Sequence, residues 1–204
     1  MNVMINNMKH RWLVIRIFQV IEIGLILLVL GVGYGVVKGV LDMWIAKELG
    51  EKMATLSTLL LITALLPGIS RRMGVLLILN TWLMPVRRHI GILMFVTAWG
   101  HAMLSNYLPR YLTGTMLALP PKFVTFGFFG LLIALPLFLT SNDYSVRKLK
   151  RNWERLQKLV YLVLLMVLVH IAIQGENLAL LVGLVLILEV ISYLFVYFKR
   201  RKVG

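Results

Sequence analysis

The sequence predicts an all-α integral membrane protein, a six-helix transmembrane bundle that occupies residues 1–204 as one domain. Three observations predict it. Hydrophobic residues make up 60% of the 204 and the mean hydropathy is +0.87, more apolar surface than a soluble core of this size buries. The apolar residues fall into runs of roughly 17 to 25, long enough to cross a bilayer as helices. Lys and Arg sit in short clusters between those runs, and the clusters alternate between rich and poor.

Spans are expected near 13–37, 53–69, 89–108, 123–140, 157–174 and 178–198. The first carries Glu22 and lacks a small-residue cleavage site, so it reads as a span and not as a removable signal. Within it Gly31, Gly35 and Gly39 recur every four residues, a spacing that lets another backbone approach closely. Pro67 and Pro136 lie near the ends of the second and fourth spans and mark exits or kinks. Met73 to Leu83 is apolar but too short to cross, and it carries Asn80, so it reads as an interfacial or re-entrant piece. Trp44, Trp99, Tyr107, Tyr111 and Trp153 fall near span ends, as interfacial aromatics do.

The positive charge sets the expected orientation. Seventeen Lys and Arg fall at the N-terminus, in the second and fourth loops and at the C-terminus, against five on the other side. Cytoplasmic loops carry such an excess, so both termini are expected in the cytoplasm. A net charge of +14 could suggest nucleic acid, but no soluble basic domain exists to bind it, and lipid headgroups explain the clusters better. The chain has no Cys, which excludes disulfides, thiolate-held iron–sulfur clusters and covalent haem attachment.

Two ionisable side chains stand out inside the spans. His170 is the one imidazole in the hydrocarbon run Lys158 to Ile173, and His101 lies in the run from Gly91. Intramembrane imidazoles are costly to keep and face the bundle interior. His101 follows Arg88 by thirteen residues and His170 follows Gln157 by thirteen, so on parallel helices both lie about 20 Å from the cytoplasmic boundary. Met94, Ala98 and Ser105 share the face of His101, with Gly91 close by, and leave room there for a flat cofactor. The helix carbonyls of Thr97 and Met166, four residues before each His, are the expected acceptors for the second ring nitrogen. Two readings stay open from the residues alone: a pair of axial ligands to one haem iron, or two structural histidines bonded to neighbours, to each other, or to Glu22 or Glu189. His10 and His89 fall at the cytoplasmic boundary, where a solvated His is ordinary. Glu22 and Glu189 read as packing carboxylates, proton relays or acceptors of quinol protons, with Arg16 and Asn177 as candidate partners.

The run Arg87-Arg88-His-Ile-Gly91 through Phe95, Ala98 and Gly100-His101 resembles the third span of the ferric-reductase-like transmembrane family. Within that family it is similar to the haem-binding membrane subunits of protein-methionine-sulfoxide reductase systems. Leu59 to Thr63, Thr140-Ser141, Arg147 to Leu149, the stretch Trp153 to Leu162, and His170 agree in order, so the resemblance covers most of 50–175. It implies a six-helix b-type cytochrome in a bacterial inner membrane, with haem b held by His101 and His170. Two-haem relatives carry further histidines where this chain has Arg87 and Gln157, so one haem is implied here.

The expected role is an electron-transfer subunit that needs separate partners. A cytoplasmic flavin reductase or a membrane quinol supplies electrons, and an acceptor on the outer face, such as a periplasmic reductase, takes them. Arg87 and Arg88 are expected to bind a cofactor at the inner boundary, either the phosphate of FMN through their planar forks or a quinone in an apolar cleft beside them. The alternatives are a transmembrane metal-ion reductase, or a small transporter or structural membrane protein without haem.

Overall fold

The computed structural model describes residues 2–201, with the side chains of 2–11, 77–79 and 200 left aside. Lys9, His10, Arg11, Arg200 and Lys202, all part of the charge and histidine readings, therefore lie outside the described side chains.

The described residues form α1 (Asn2–Val37), α2 (Met43–Met73), α3 (Leu77–Leu83), α4 (Arg87–Ala102), α5 (Leu108–Leu112), α6 (Lys122–Leu139), α7 (Asp143–Leu149), α8 (Arg151–Gln157), α9 (Val160–Ile173) and α10 (Leu178–Arg201). A π-helical turn, Met103–Tyr107, joins α4 to α5. Five helical stretches are long and apolar enough to cross a membrane: Trp12–Val37, Met43–Met73, Lys122–Leu139, Arg151–Ile173 and Leu178–Lys199. The chain is a multi-pass membrane protein. The stretch expected as the third span is divided, for α4 alone has 16 residues, although helical backbone continues through the π turn to Leu112.

Lipid is the solvent for much of this surface. Val20, Ile23, Leu27 and Leu30 on α1 and Leu180, Leu184, Ile187 and Val190 on α10 are exposed, as apolar side chains are where hydrocarbon surrounds a helix whose backbone bonds are satisfied internally. The main core lies where α2, α4, α6, α9 and α10 converge, on Leu61, Leu65, Phe95, Leu137, Leu164 and Val182. A second cluster joins α1 to α2 and the π turn through Val29, Met53 and Leu104. The most extensive contacts pair α2 with α4 and α6 with α9.

Several sequence expectations change here. Pro67 does not end a helix; α2 runs six residues beyond it with Pro67 buried. The turn that proline loosens is supported from outside, because Arg87 Nε donates to the Ala64 carbonyl at 2.8 Å. The segment after α2 breaks at Gly74 and at Leu76, both with positive φ. Ser70 Oγ donates to the Val75 carbonyl there, and Asn80 Nδ2 donates to Ser70 Oγ at 3.3 Å. Trp99, expected near a span end, packs against both core clusters.

The glycines that permit close packing are not the expected ones. A Cβ on Gly31 would meet nothing within 4 Å, and Gly39 serves instead as a left-handed residue (φ +71°) after α1. At Gly35 a Cβ would lie 2.7 Å from Leu41 Cδ1, a side chain just past the end of α1, whereas close approach between helices falls at Gly50, Gly100 and Gly127. A Cβ on Gly100 would lie 2.8 Å from Val29 Cγ2 and 2.6 Å from Met53 Sδ, so α1, α2 and α4 meet around that residue. Gly100→Ala should destabilise the bundle by about 1–3 kcal/mol through overpacking, whereas Gly31→Ala should be neutral or slightly stabilising. Unfolding midpoints of the two variants in detergent check the contrast; equal midpoints would reject the packing role of Gly100.

Candidate functional site

His101 stands at the end of α4, directly before the π turn. That turn has a local cause. Pro109 offers no N–H, so the regular ladder cannot continue, and the Leu108 N–H donates five residues back to Met103. Such a turn widens the helix, a feature that recurs at functional sites. It also brings Ser105 against α2, where a Cβ on Gly50 would lie 2.1 Å from Ser105 Oγ. Because Gly50 has no side chain, its carbonyl comes within reach of the imidazole. His101 Nδ1–H donates to the Gly50 oxygen at 3.0 Å.

His170, on α9, is held in the same way by α6. Its Nδ1–H donates to the Phe123 carbonyl at 2.6 Å. Gly127 makes that approach possible, since a Cβ there would lie 2.9 Å from both Nδ1 and Cε1 of the ring. The acceptors expected four residues earlier, Thr97 and Met166, are therefore replaced by carbonyls of neighbouring helices. A ring turned outward toward the next helix leaves its own helix carbonyls behind.

The two rings meet edge-on, with centroids 6.3 Å apart and planes at 66°. With both Nδ1 atoms donating to carbonyls, each Nε2 is the acceptor nitrogen of its ring. A metal bound between two such nitrogens at about 2 Å each would set imidazole centroids about 6 Å apart, so the spacing suits an ion held from both sides. His170 Nε2 accepts at 3.2 Å from Gln174 Nε2, and Gln174 also donates to the His170 carbonyl at 3.2 Å, a bond it keeps if the ring nitrogen is taken. Among the described residues no group of three or more His, Cys, Asp or Glu is placed to hold a metal. Two protein ligands suit an ion that brings its other ligands with it, as haem iron does.

Away from the two rings the bundle holds polar pairs that sequence reading did not find. His89 is not solvated: its Nδ1 lies 3.1 Å from Glu22 Oε1, both side chains are 13% exposed, and Phe18 stacks on the imidazole. Glu22 thus pairs with His89 and not with Arg16, which lies over the Trp12 ring. Glu189 pairs with Arg72, not Asn177. Arg72 Nε donates to Ser192 Oγ at 2.8 Å, and its guanidinium lies 4.2 Å above the Tyr193 ring. Tyr193 in turn meets the Tyr161 hydroxyl at 2.9 Å. Arg87 and Arg88 have separate partners, for Arg87 bonds the Ala64 carbonyl and Arg88 Nη1 lies 2.5 Å from Asp143 Oδ1. Gln157 Nε2 is buried without a hydrogen-bond partner. The ion pairs have no short-range sequence signal, because Arg88–Asp143, Glu22–His89 and Arg72–Glu189 join residues 55, 67 and 117 positions apart.

Comparisons with known proteins agree on one family. The model described as ferric reductase like transmembrane component matches residues 50–168, more than half of the chain. Among curated proteins, the protein-methionine-sulfoxide reductase heme-binding subunit of Agrobacterium fabrum is 39% identical over 69 residues, 34% of this chain and 31% of that protein. The subunits of the same name from Brucella ovis and Brucella anthropi are 48% identical over 48 residues and 50% over 42. Those two matches cover 24% and 21% of this chain and 22% and 19% of the relatives. The aligned stretches thus span a third or less of each relative's length. No solved structure matches the chain.

The Arg72–Glu189 pair generates a prediction about stability. The two side chains are only 15% and 4% exposed, and removing one partner of a buried pair strands the other at about 3–5 kcal/mol. Arg72→Met should therefore destabilise strongly, and the double variant Arg72→Met, Glu189→Met should recover most of the loss. A double-mutant cycle on unfolding in detergent measures it; additive losses would reject the coupling.

Proposed function

The chain belongs to the ferric reductase-like transmembrane family, and from that premise we propose that it is a b-type cytochrome subunit. Electrons from a cytoplasmic flavoprotein or a membrane quinol pass through one haem b, held by His101 and His170, to an acceptor on the outer face. One observation carries the reading: two intramembrane imidazoles from α4 and α9 meet edge-on with centroids 6.3 Å apart. Each donates its Nδ1–H to a carbonyl of another helix.

When bound, haem supplies a one-electron iron couple. The residues do the rest. The Gly50 and Phe123 carbonyls fix the tautomer of each imidazole, direct Nε2 inward and raise its basicity as a ligand. Gly127 and Gly50 let the carbonyl-bearing helices come close enough to do so. His101 and His170 would together hold the haem iron, and a haem held by two imidazoles supplies electron transfer in preference to oxygen binding. Thr97, fully buried one turn before His101, satisfies its hydroxyl on the Leu93 and Met94 carbonyls and leaves no polar group to draw water inward.

In this reading the continuous helix Arg87 to Leu112 is the sixth span. The charge asymmetry then sets both termini and the segment 141–157 in the cytoplasm, in a bacterial inner membrane like that of the relatives' hosts. Arg87 and Gln157 stand where two-haem members of the family carry histidines, and neither is a usual axial ligand, so one haem per chain follows. A flavin phosphate at Arg88 competes with Asp143 for the guanidinium; a quinol has no such competitor. The outer acceptor is a separate molecule, by analogy with the named relatives a protein-methionine-sulfoxide reductase.

Purified protein should show a six-coordinate low-spin haem b spectrum and about one haem equivalent by pyridine haemochrome. His101→Ala and His170→Ala should each lose most of it, and Gly127→Ala, which crowds the His170 ring, should lose part. Full retention of the six-coordinate spectrum in both His variants would sink the assignment. A reporter fused after Gly204 should be active on the cytoplasmic side; activity only outside would reject the six-span topology.

A further inference from the structure

One end of the bundle carries more positive charge than it neutralises. The last turn of α2, the first residue of α4 and the start of α9 meet α10 there, and Arg72 is cancelled by Glu189. Arg87 interacts electrostatically with both of them and also with Arg71, so three guanidiniums share one carboxylate. Arg87 directs its Nε–H to the Ala64 carbonyl at 2.8 Å, and among the described residues nothing accepts from its terminal nitrogens. Arg71 makes no ion pair or hydrogen bond with a described residue. Unpaired cations are costly to keep at the edge of a membrane bundle, and an apposed anion removes that cost.

A donor is stranded at the same end. Gln157 Nε2 is shut off from water and has no hydrogen-bond partner, a state that calls for a physical explanation because buried polar atoms are nearly always paired. Gln157 lies one turn before Tyr161, across the tight link between α8 and α9, and Tyr161 is the hydroxyl that Arg87 faces. Tyr161 meets the Tyr193 hydroxyl of α10 at 2.9 Å. The corner so formed opens to lipid. Tyr193 is exposed, and one turn nearer the membrane centre Leu165 on α9 and Val190 on α10 are 40% and 54% exposed.

That arrangement selects a ligand with a compact anion and hydrocarbon chains. A phosphate diester accepts hydrogen bonds from guanidinium forks and from an amide N–H, and acyl chains can run over Leu165 and Val190. A soluble phosphate meets only the first demand, and a zwitterionic head group would bring its own cation against the same guanidiniums. Basic pockets between spans at the cytoplasmic side hold anionic head groups on these grounds. We propose that the corner of Arg71, Arg87 and Gln157 binds the head group of an anionic phospholipid, its phosphate between the two guanidiniums and the Gln157 amide. Glu189 opposes the phosphate only weakly, because Arg72 lies against it. That the lipid comes from the cytoplasmic leaflet rests on the proposed topology; the site itself needs neither that topology nor haem.

The test reads lipid retention by native mass spectrometry, with the full chain released from nanodiscs of phosphatidylcholine that contain a minority of phosphatidylglycerol. The unmodified protein should keep phosphatidylglycerol in preference to phosphatidylcholine; no preference overturns the proposal. Arg71→Gln should cut the preference about fivefold, the effect of one cation at a lipid surface. Gln157→Glu, which sets a carboxylate against the phosphate, should cut it about tenfold or more, and an unchanged preference in that variant overturns the proposal too. Neither side chain bonds another described residue, so both variants should fold, and unfolding midpoints in detergent check it. The double variant Arg147→Gln, Lys148→Gln removes two exposed loop cations that solvent and salt screen, and should stay within about twofold of the unmodified protein. An equal fall in that double variant and in Arg71→Gln would mean diffuse surface charge and overturns the site. Inorganic phosphate and FMN, which lack chains for the apolar strip, should not displace the lipid at millimolar concentration; displacement by either assigns the corner to a soluble phosphate and overturns the lipid.

Discussion

The structure depends on how two imidazoles are satisfied inside the helix bundle. A ring N–H in a bilayer has no water to turn to, so its partner must be built into the bundle. Here the partner is in each case a carbonyl of an adjacent helix, Gly50 on α2 and Phe123 on α6. Those carbonyls are already acceptors within their own helices and take a second donor through their remaining lone pair. The demand for such close approach explains why glycine occupies 50 and 127, and why α2 pairs with α4 and α6 with α9.

The same constraint shapes the other end of the bundle differently. There Glu22 pairs with His89, Glu189 with Arg72, and Arg87 donates to the Ala64 carbonyl in the turn before Pro67. Ion pairing within the membrane offsets desolvation only when geometry and extra hydrogen bonds are good. Ser192 and the face of Tyr193 supply them for Arg72. The pairs also tie the outermost helices, α1 and α10, to the central ones, where apolar contact with lipid tails offers no net driving force for association.

Much of the chain was legible without coordinates. Hydropathy marked the spans because a bilayer imposes a length on apolar runs. His101 and His170 stood out because ionisable residues in such runs are rare, and equal spacing from Arg88 and Gln157 placed them at one depth by helix rise alone. The glycine stripe at 31, 35 and 39 misled, since spacing marks a face of α1 but not what that face meets. His89 misled for a related reason: its position near a span end said nothing of the glutamate that α1 brings to it.

What the sequence by itself determined was the membrane class, the positions of the apolar runs, the charge asymmetry and the two central histidines, all of which are local or additive properties of the chain. Only the tertiary structure decided which carbonyl holds each imidazole, that Pro67 lies within a continuing helix, that the helix after His101 widens into a π turn against Gly50, and that Glu22 meets His89 while Glu189 meets Arg72. The reason is physical. These contacts depend on the rotation and tilt of each helix about its axis, and in lipid those are set by side-chain packing between helices and not by the hydropathy that places the helices in the membrane.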